Sequence, residues 1–352
     1  MDYIKGKKLV IIGTGSCAKG IIEVLQKEKM ESGIVAVLDR DREKEGSIFL
    51  GFKVQWEGNL RKYAKENVVF IIASQYFDDI YRRLTPYGIN KLNCMIPNLY
   101  CNNPPCEEDD EIIAFSNEKY LELYNILEDD YSRELLKRIK EYRGTEMDFM
   151  SYEDLQKWGG MEDYWLSVAP TRKNKSAIVI DGGAYIGDSI EPICTAIGEK
   201  VVNYYAFEPN EYSCQILSSL PDNCEWYNKL TIMKKGLRDK NEYLYFDVNG
   251  DSSSFEGRNS DEKGMEVEVI NLDSVNFEQN VDVFIKMDIQ GSEYKALEGG
   301  ENLIKTRKPS LAICVYHKAN DLVKIPLYLK KLVPEYKIYL RGGNHTICIA
   351  QV

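Results

Sequence analysis

Residues 8 to 12 (KLVII) form an unbroken apolar run that stops at the glycine-rich stretch GTGSCAKG. Apolar positions Ile21, Ile22, Val24 and Leu25 follow at helical spacing, and IVAVLD occupies 34 to 39. A short continuous apolar run suits a strand buried on both faces, so the order reads as strand, turn, helix, strand, a βαβ unit. A helix around Leu60 to Glu66, a strand VVFIIAS at 68 to 74 and a helix at 78 to 88 continue the alternation. The turn-rich NNPPC at 102 to 106 closes a first domain, taken as residues 1–105.

From Glu107 the texture becomes acidic and helical, with Leu121, Leu127, Leu135, Leu136 and Ile139 at mixed three and four spacings. Residues 106–172 are expected to form a helical connector, with Trp158, Tyr164 and Trp165 placed to serve as a lid. Alternation resumes at Ser176 and defines a third segment, 173–352. Expected strands are AIVID at 177 to 181, YYAFEP at 204 to 209, LTIMKKGL at 230 to 237, EYLYFDV at 242 to 248, VDVFIKMD at 281 to 288 and SLAICVYH at 310 to 317. Helices are expected after Gly187, after Asn210 and over 321 to 333. The tail segments YKIYLR at 336 to 341 and TICIA at 346 to 350 read as a closing antiparallel hairpin turned through Gly342 to His345.

At 352 residues two domains are expected, and 44% hydrophobic with 29% charged residues is a globular composition. A net charge of -11 works against a nucleic-acid partner, since phosphate contacts would need a local basic patch and the Lys234, Lys235, Arg238 run is too short to be one. Nine cysteines lack any CxxC spacing for zinc, which implies a reducing, cytoplasmic setting; no metal is assigned, and a divalent ion at Asp288 stays open. Cys194, Cys314 and Cys348 lie in apolar runs as small core residues, whereas Cys101 and Cys106 flank two prolines in a loop. The apolar start at Leu9 to Ile12 is too short for a signal peptide, and nothing approaches a membrane span.

Chemistry concentrates in the third segment. DGGAYIGDS at 181 to 189 follows an apolar strand and opens a helix, where a doubly wound domain binds its ligand through closely approaching backbone NH groups. Asp181, at the strand's carboxyl end, is placed to accept from a cationic amino group, and Glu208 closes the next strand where an acid takes ribose hydroxyls. In VFIKMDIQGSE, Lys286 falls inside a central strand where lysine is almost never buried unpaired. Strand alternation puts Lys286 and Asp288 on one face, expected to steady each other at the pocket floor or to form a purely structural ion pair, with Glu293 favouring the next helix start. The chain has two histidines. His317 is expected at the same sheet edge as Asp288, either against an acceptor hydroxyl or as a hydrogen-bonded rim residue, with His345 the weaker candidate. Ser252 to Ser254 read as a loop, or second as a ligand contact.

Together IDGGAYIGDS, YYAFEPN, IKMDIQGSEYKALEGG, RKPSLAICVYH and LEDDYSRELLKRIKEYR resemble the FkbM-type methyltransferase family over roughly 121 to 350. The resemblance implies a class I, Rossmann-like doubly wound α/β sheet with a C-terminal antiparallel hairpin, S-adenosylmethionine as cofactor, and methylation of sugar or polyketide hydroxyls. It maps Asp181, Gly183 and Gly187 to the methionine loop, Glu208 to the ribose acid, and Gly236 with Leu237 to the adenine-side turn; Gly182, Ala184, Tyr185, Asp188, Ser189 and Pro209, beside them, are expected to join the cofactor site. Asp288 completes the cofactor set and, with His317 and Lys286, the catalytic set. The family's DxEGxE is DIQGSE here, with Gln290 for glutamate, and its closing Arg-His pair is spread over Arg341 to His345. The expected activity is O-methyl transfer to a sugar, glycan or related metabolite, with N-methylation left open, and with His317 as base and Asp288 orienting it or serving instead.

In the first domain GTGSCA fits GxGxxA, with Asp39 ending the second strand. This form resembles sugar-nucleotide or dinucleotide domains, so Gly13, Gly15 and Asp39 mark either a nucleotide site or a scaffold. Two other functions stay open: a sugar-nucleotide oxidoreductase or epimerase using this domain, which lacks a visible Tyr-x-x-x-Lys pair, and a non-catalytic nucleotide-binding module.

Overall fold

The computed structural model describes residues 4–64, 68–73, 77–89, 94–95, 116–144, 155, 157–158, 176–219, 227–247, 264–343 and 345–352. The chain forms two compact units, one of residues 1–106 with 137–157 and one of 107–136 with 158–352. The expected connector is therefore shared between them. Cys101, Cys106, the 102 to 106 turn, Tyr164, Trp165 and Ser252 to Ser254 lie outside the described residues.

The first unit holds β1 (Lys8–Ile12), α1 (Ser16–Lys27), β2 (Ile34–Asp39), β3 (Ile48–Phe49), β4 (Phe52–Trp56), α2 (Leu60–Tyr63), β5 (Val68–Ile72), α3 (Phe77–Leu84) and β6 (Cys94–Met95). Its sheet order is β3-β4-β2-β1-β5-β6, parallel except for the β3 to β4 hairpin. Side-chain alternation splits the apolar strands between two cores. Leu9 and Ile11 face Ala18, Ile21, Ile22 and Leu25 of α1, which recur at helical spacing, while Val10 and Ile12 face Leu60, Tyr63, Ile80 and Leu84. The β3 to β4 hairpin was not expected, because Ile48 is exposed and the segment is too short to carry a period.

The second unit holds α4 (Asn117–Ile126), the first part of α5 (Asp130–Gly144), β7 (Ala177–Gly182), α6 (Ile190–Ile197), β8 (Val201–Phe207), α7 (Glu211–Ser218), β9 (Leu230–Met233), β10 (Gly236–Leu237), β11 (Glu242–Asp247), β12 (Gly264–Ile270), β13 (Asp282–Met287), α8 (Glu293–Glu298), α9 (Glu301–Arg307), β14 (Ser310–Cys314), α10 (Asp321–Leu332), β15 (Lys337–Arg341) and β16 (Ile347–Gln351). The main sheet runs β15-β16-β14-β13-β7-β8-β9, with β7, β8, β9, β13 and β14 parallel and β16 antiparallel to both its neighbours. The hairpin anticipated at the tail thus inserts β16 beside β14. β7 lies between β13 and β8 and every residue of it is buried, which accounts for the apolar run from Ala177 to Ile180.

Two expectations are corrected. The 310 to 317 strand ends at Cys314, so His317 stands three residues beyond it in the loop before α10. The 264 to 270 strand was missed; it pairs parallel with β10 and antiparallel with β11 in a separate three-stranded sheet. Its alternation GMEVEVI shows one apolar face only, and its partner strands lie before a long intervening segment.

The α4 to α5 turn is tied to the sheet edge. Glu128 N donates to Ile338 O at 2.9 Å, Leu340 N donates to Ser132 Oγ at 2.9 Å, and Arg341 Nη2 meets Asp129 Oδ2 at 2.5 Å. Trp158, expected in a lid, packs on Tyr131 with ring centroids 5.0 Å apart. Among the described residues no helix is long and apolar enough to cross a membrane.

Candidate active site

The carboxyl ends of β7, β8 and β13 meet at one edge, the place where parallel doubly wound sheets bind ligands. Gly183 N and Ala184 N both donate to Phe207 O, at 2.9 and 3.1 Å, which bends the loop over the end of β8. Asp288 N donates to Gly182 O at 3.0 Å from the other side. Gly183 has φ +73°, and a Cβ there would come within 1.9 Å of Asp288 O, so only glycine allows the two loops to lie backbone against backbone.

Below this loop lies a buried polar cluster. Lys286 and Asp181 are register partners on β13 and β7, and Lys286 Nζ lies 2.8 Å from Asp181 Oδ1. The direct partner of Lys286 is thus Asp181 across the ladder, while Asp288, the partner expected from the sequence, lies past the end of β13 at Met287 and adds a second favourable charge. Asp181 Oδ2 also accepts from Ser189 Oγ at 2.8 Å and Tyr204 Oη at 2.6 Å. The carboxylate is fully buried. Lys286 Nζ donates to Gly183 O at 2.6 Å, so the pair props the loop from beneath. Burial works to lower the Lys286 pKa, but the Asp181 and Asp288 carboxylates outweigh it and hold the ammonium above its ordinary value.

Glu208 lies just past the end of β8, buried, accepting from Tyr185 N at 2.9 Å and Asn210 N at 2.8 Å. Burial raises its pKa against those two NH groups. Tyr185 holds φ +47° with its side chain exposed, Asp188 is exposed, and Gly187 and Pro209 are half-buried. Gly236 and Leu237 are buried, and a Cβ on Gly182 would touch Leu237 Cδ1 at 3.0 Å, so the two turns adjoin.

Beyond the loop stand Asp288, Tyr316 and His317. Asp288 is about a third exposed and accepts from Tyr316 Oη at 3.2 and 3.3 Å. His317 Nε2 lies 3.3 Å from Asp288 Oδ1, and Nδ1 lies 2.9 Å from Oε1 of Glu293, a residue with no exposed surface. Burial acts to lower the His317 pKa, but Glu293 first, then Asp288 and Asp321, drive it up to about 9. Asp321 is itself raised to about 7 by burial and by Glu293. His345, whose ring lies 5.0 Å from Tyr316, is lowered by burial.

The site thus gathers His317, Asp288, the glycine loop and Glu208 at one sheet edge, with Lys286 and Asp181 beneath. Tyr204, Glu293, Tyr316 and Asp321 were missed as site residues. Glu293 carried a signal as the second acid of DIQGSE, but its partner lies in another loop. Asp288, Glu293 and His317 offer oxygen and nitrogen atoms within 4.8 Å of one another, the spacing a metal needs. Both ring nitrogens, however, lie at ion-pair distance from a carboxylate, 2.9 Å for Nδ1 and 3.3 Å for Nε2, which suits a charged imidazole.

The sheet order and this site define a class I methyltransferase fold. Residues 181–336 match the Methyltransferase FkbM domain, and residues 5–95 match the family described as C2185-like, N-terminal. The chain is similar to Methyltransferase FkbM from Methylobacillus flagellatus KT, at 20% identity and a TM-score of 0.65, over 100% of this chain and 92% of that one. Partial overlaps include Precorrin-6y C5,15-methyltransferase from Geobacter metallireducens GS-15 (12% identity, TM-score 0.32, 54% of this chain and 85% of that one). A SAM dependent methyltransferase from Aquifex aeolicus is similar at 13% identity and a TM-score of 0.31, over 56% of this chain and 96% of that one. No curated protein matches the sequence.

Proposed function

We propose that this chain transfers a methyl group from S-adenosylmethionine to a hydroxyl of a sugar, glycan or related small metabolite. One observation carries the reading: Asp288 packs its backbone against Gly183 of the glycine loop and turns its side chain to Tyr316 and His317. A cofactor loop and a proton acceptor therefore share one edge.

The residues fit the cofactor. Gly183 lets the strand-to-helix loop lie backbone against backbone with Asp288 at the sheet edge, and Glu208, with lone pairs beyond the two it gives to backbone NH groups, suits ribose hydroxyls. S-adenosylmethionine, when bound, supplies an electrophilic methyl group on sulfur. Asp181 and Lys286 hold the loop's shape from below. Neutral His317 takes the acceptor proton as the new O–C bond forms and the methyl–sulfur bond would break to leave a neutral thioether, with Asp288 beside it to orient the hydroxyl.

The amino-terminal unit supports a nucleotide or sugar nucleotide at Gly13, Gly15 and Asp39. Gly15 opens α1 with nothing within 4 Å of where a Cβ would lie, and Asp39 ends β2 nearby. Asp39 also accepts from Thr14 and lies 3.3 Å from Lys44 Nζ, which holds its pKa down against the opposing effect of burial.

Calorimetry with S-adenosylmethionine, alongside thermal shifts with NAD and UDP-sugars, tests both sites, because a ligand that prefers the native state raises its melting point. Micromolar S-adenosylmethionine binding lost in Glu208→Ala is expected, as is transfer of labelled methyl to a member of a glycoside panel. Binding of NAD alone would move the activity to the amino-terminal unit.

A further inference from the structure

We infer that Glu293 is a positioning residue that fixes which nitrogen of His317 faces the acceptor and how strongly that nitrogen holds a proton. The inference rests on the methyl-transfer reading for its purpose, though its geometry does not. Glu293 is the first residue of α8, and its Oε1 accepts from Ile289 N at 2.8 Å as well as facing His317 Nδ1 at 2.9 Å. One carboxylate oxygen therefore clamps the loop after β13 to the loop after β14. With no exposed surface, Glu293 cannot exchange this partner for water. The fully buried carboxylate at 2.9 Å favours the proton on Nδ1 over Nε2, which lies farther, 3.3 Å, from the partly exposed Asp288 and so becomes the ring's basic atom.

The charge balance points the same way. His317 is faced by Asp288 from the end of β13, Glu293 from α8 and Asp321 from α10, with Lys318 beside Asp321 and His345 from the hairpin loop. Lys286 is engaged by Asp181. Tyr316 adds an uncharged donor to Asp288. Three carboxylates around one imidazole favour its cationic form, and Glu293 stands nearest. Its effect on His317 accordingly leads those of Asp288 and Asp321. The base is thus strong but carries its own proton at neutral pH, so turnover should climb with pH through the His317 titration.

The test uses the full chain with 15N-labelled histidine, where only His317 and His345 contribute ring signals. In the wild type, His317 is expected to titrate near 9 and, above that, to carry its proton on Nδ1. Glu293→Gln should lower that midpoint by roughly 1 pH unit or more, the scale of a neighbouring charge, and leave S-adenosylmethionine affinity unchanged by calorimetry. The acidic limb of turnover should move down with the midpoint. A wild-type proton on Nε2, or a midpoint unmoved in Glu293→Gln, overturns the inference, as does selective binding of Mn2+ at His317. The tautomer measurement needs only wild-type protein, so an unfolded variant leaves it standing. Failure of cofactor binding in the wild type would instead overturn the methyl-transfer reading.

Discussion

Lys286 lies directly across the parallel ladder from Asp181, and its ammonium bridges that carboxylate at 2.8 Å and the Gly183 carbonyl at 2.6 Å. Removing one partner of such a pair leaves a buried charge uncompensated, which costs about 3 to 5 kcal/mol. Lys286→Met and Asp181→Asn should each fall by that order in urea unfolding, and the double variant by less than the sum. Additive losses would show that the two side chains do not act as a pair.

Gly183→Ala should abolish S-adenosylmethionine binding, because the methyl would meet Asp288 O at 1.9 Å in a backbone conformation that alanine disfavours. Gly15→Ala, with open space around it, serves as the control and should bind the cofactor normally. Calorimetry on both variants checks this, and normal binding by Gly183→Ala would remove the loop from the cofactor site.

His317 links stability to alkaline pH. Its folded pKa of about 9 lies above the ordinary value of 6.5, so its contribution is fully present below 6.5 and is lost as pH rises toward 9. Thermal melts should fall over that interval in the wild type and stay flatter in His317→Gln. The same variant should keep cofactor affinity while turnover drops about a hundredfold or more, as for loss of a general base.

Arg341 has the opposite sign of pH dependence through its partner. Burial works to raise the Asp129 pKa, but Arg341 and Ser132 hold it below its ordinary value. That contribution is present above pH ~4 and fades as the pH falls through the depressed value. Because both groups are partly exposed, Arg341→Gln should cost roughly 1 kcal/mol or less at neutral pH, with no change in cofactor affinity. Loss of affinity in melts with S-adenosylmethionine would make Arg341 a site residue instead of a tie to the α4 to α5 turn.

Much of this architecture was legible along the chain because its cause is local. Val179 and Ile180 are apolar since β7 has no solvent-facing side, Ile21 and Leu25 repeat since α1 has one buried face, and the glycines after Asp181 mark a turn that side chains would block. The β12 strand escaped because its pairing with β10 and β11 is a property of chain return, and one apolar face over seven residues does not announce a partner.

By itself the sequence determined the alternation of strands and helices before and after residues 106–172 and put Asp181 and Glu208 at strand ends, because periodicity and turn chemistry act over a few residues. Only the tertiary structure decided the partners. Lys286 turned to Asp181 instead of Asp288 because register across the β7 to β13 ladder, and not spacing along one strand, sets which charges meet. His317 became a strongly basic imidazole because α8 and α10 bring Glu293 and Asp321 to it, and electrostatic energy depends on distance through space.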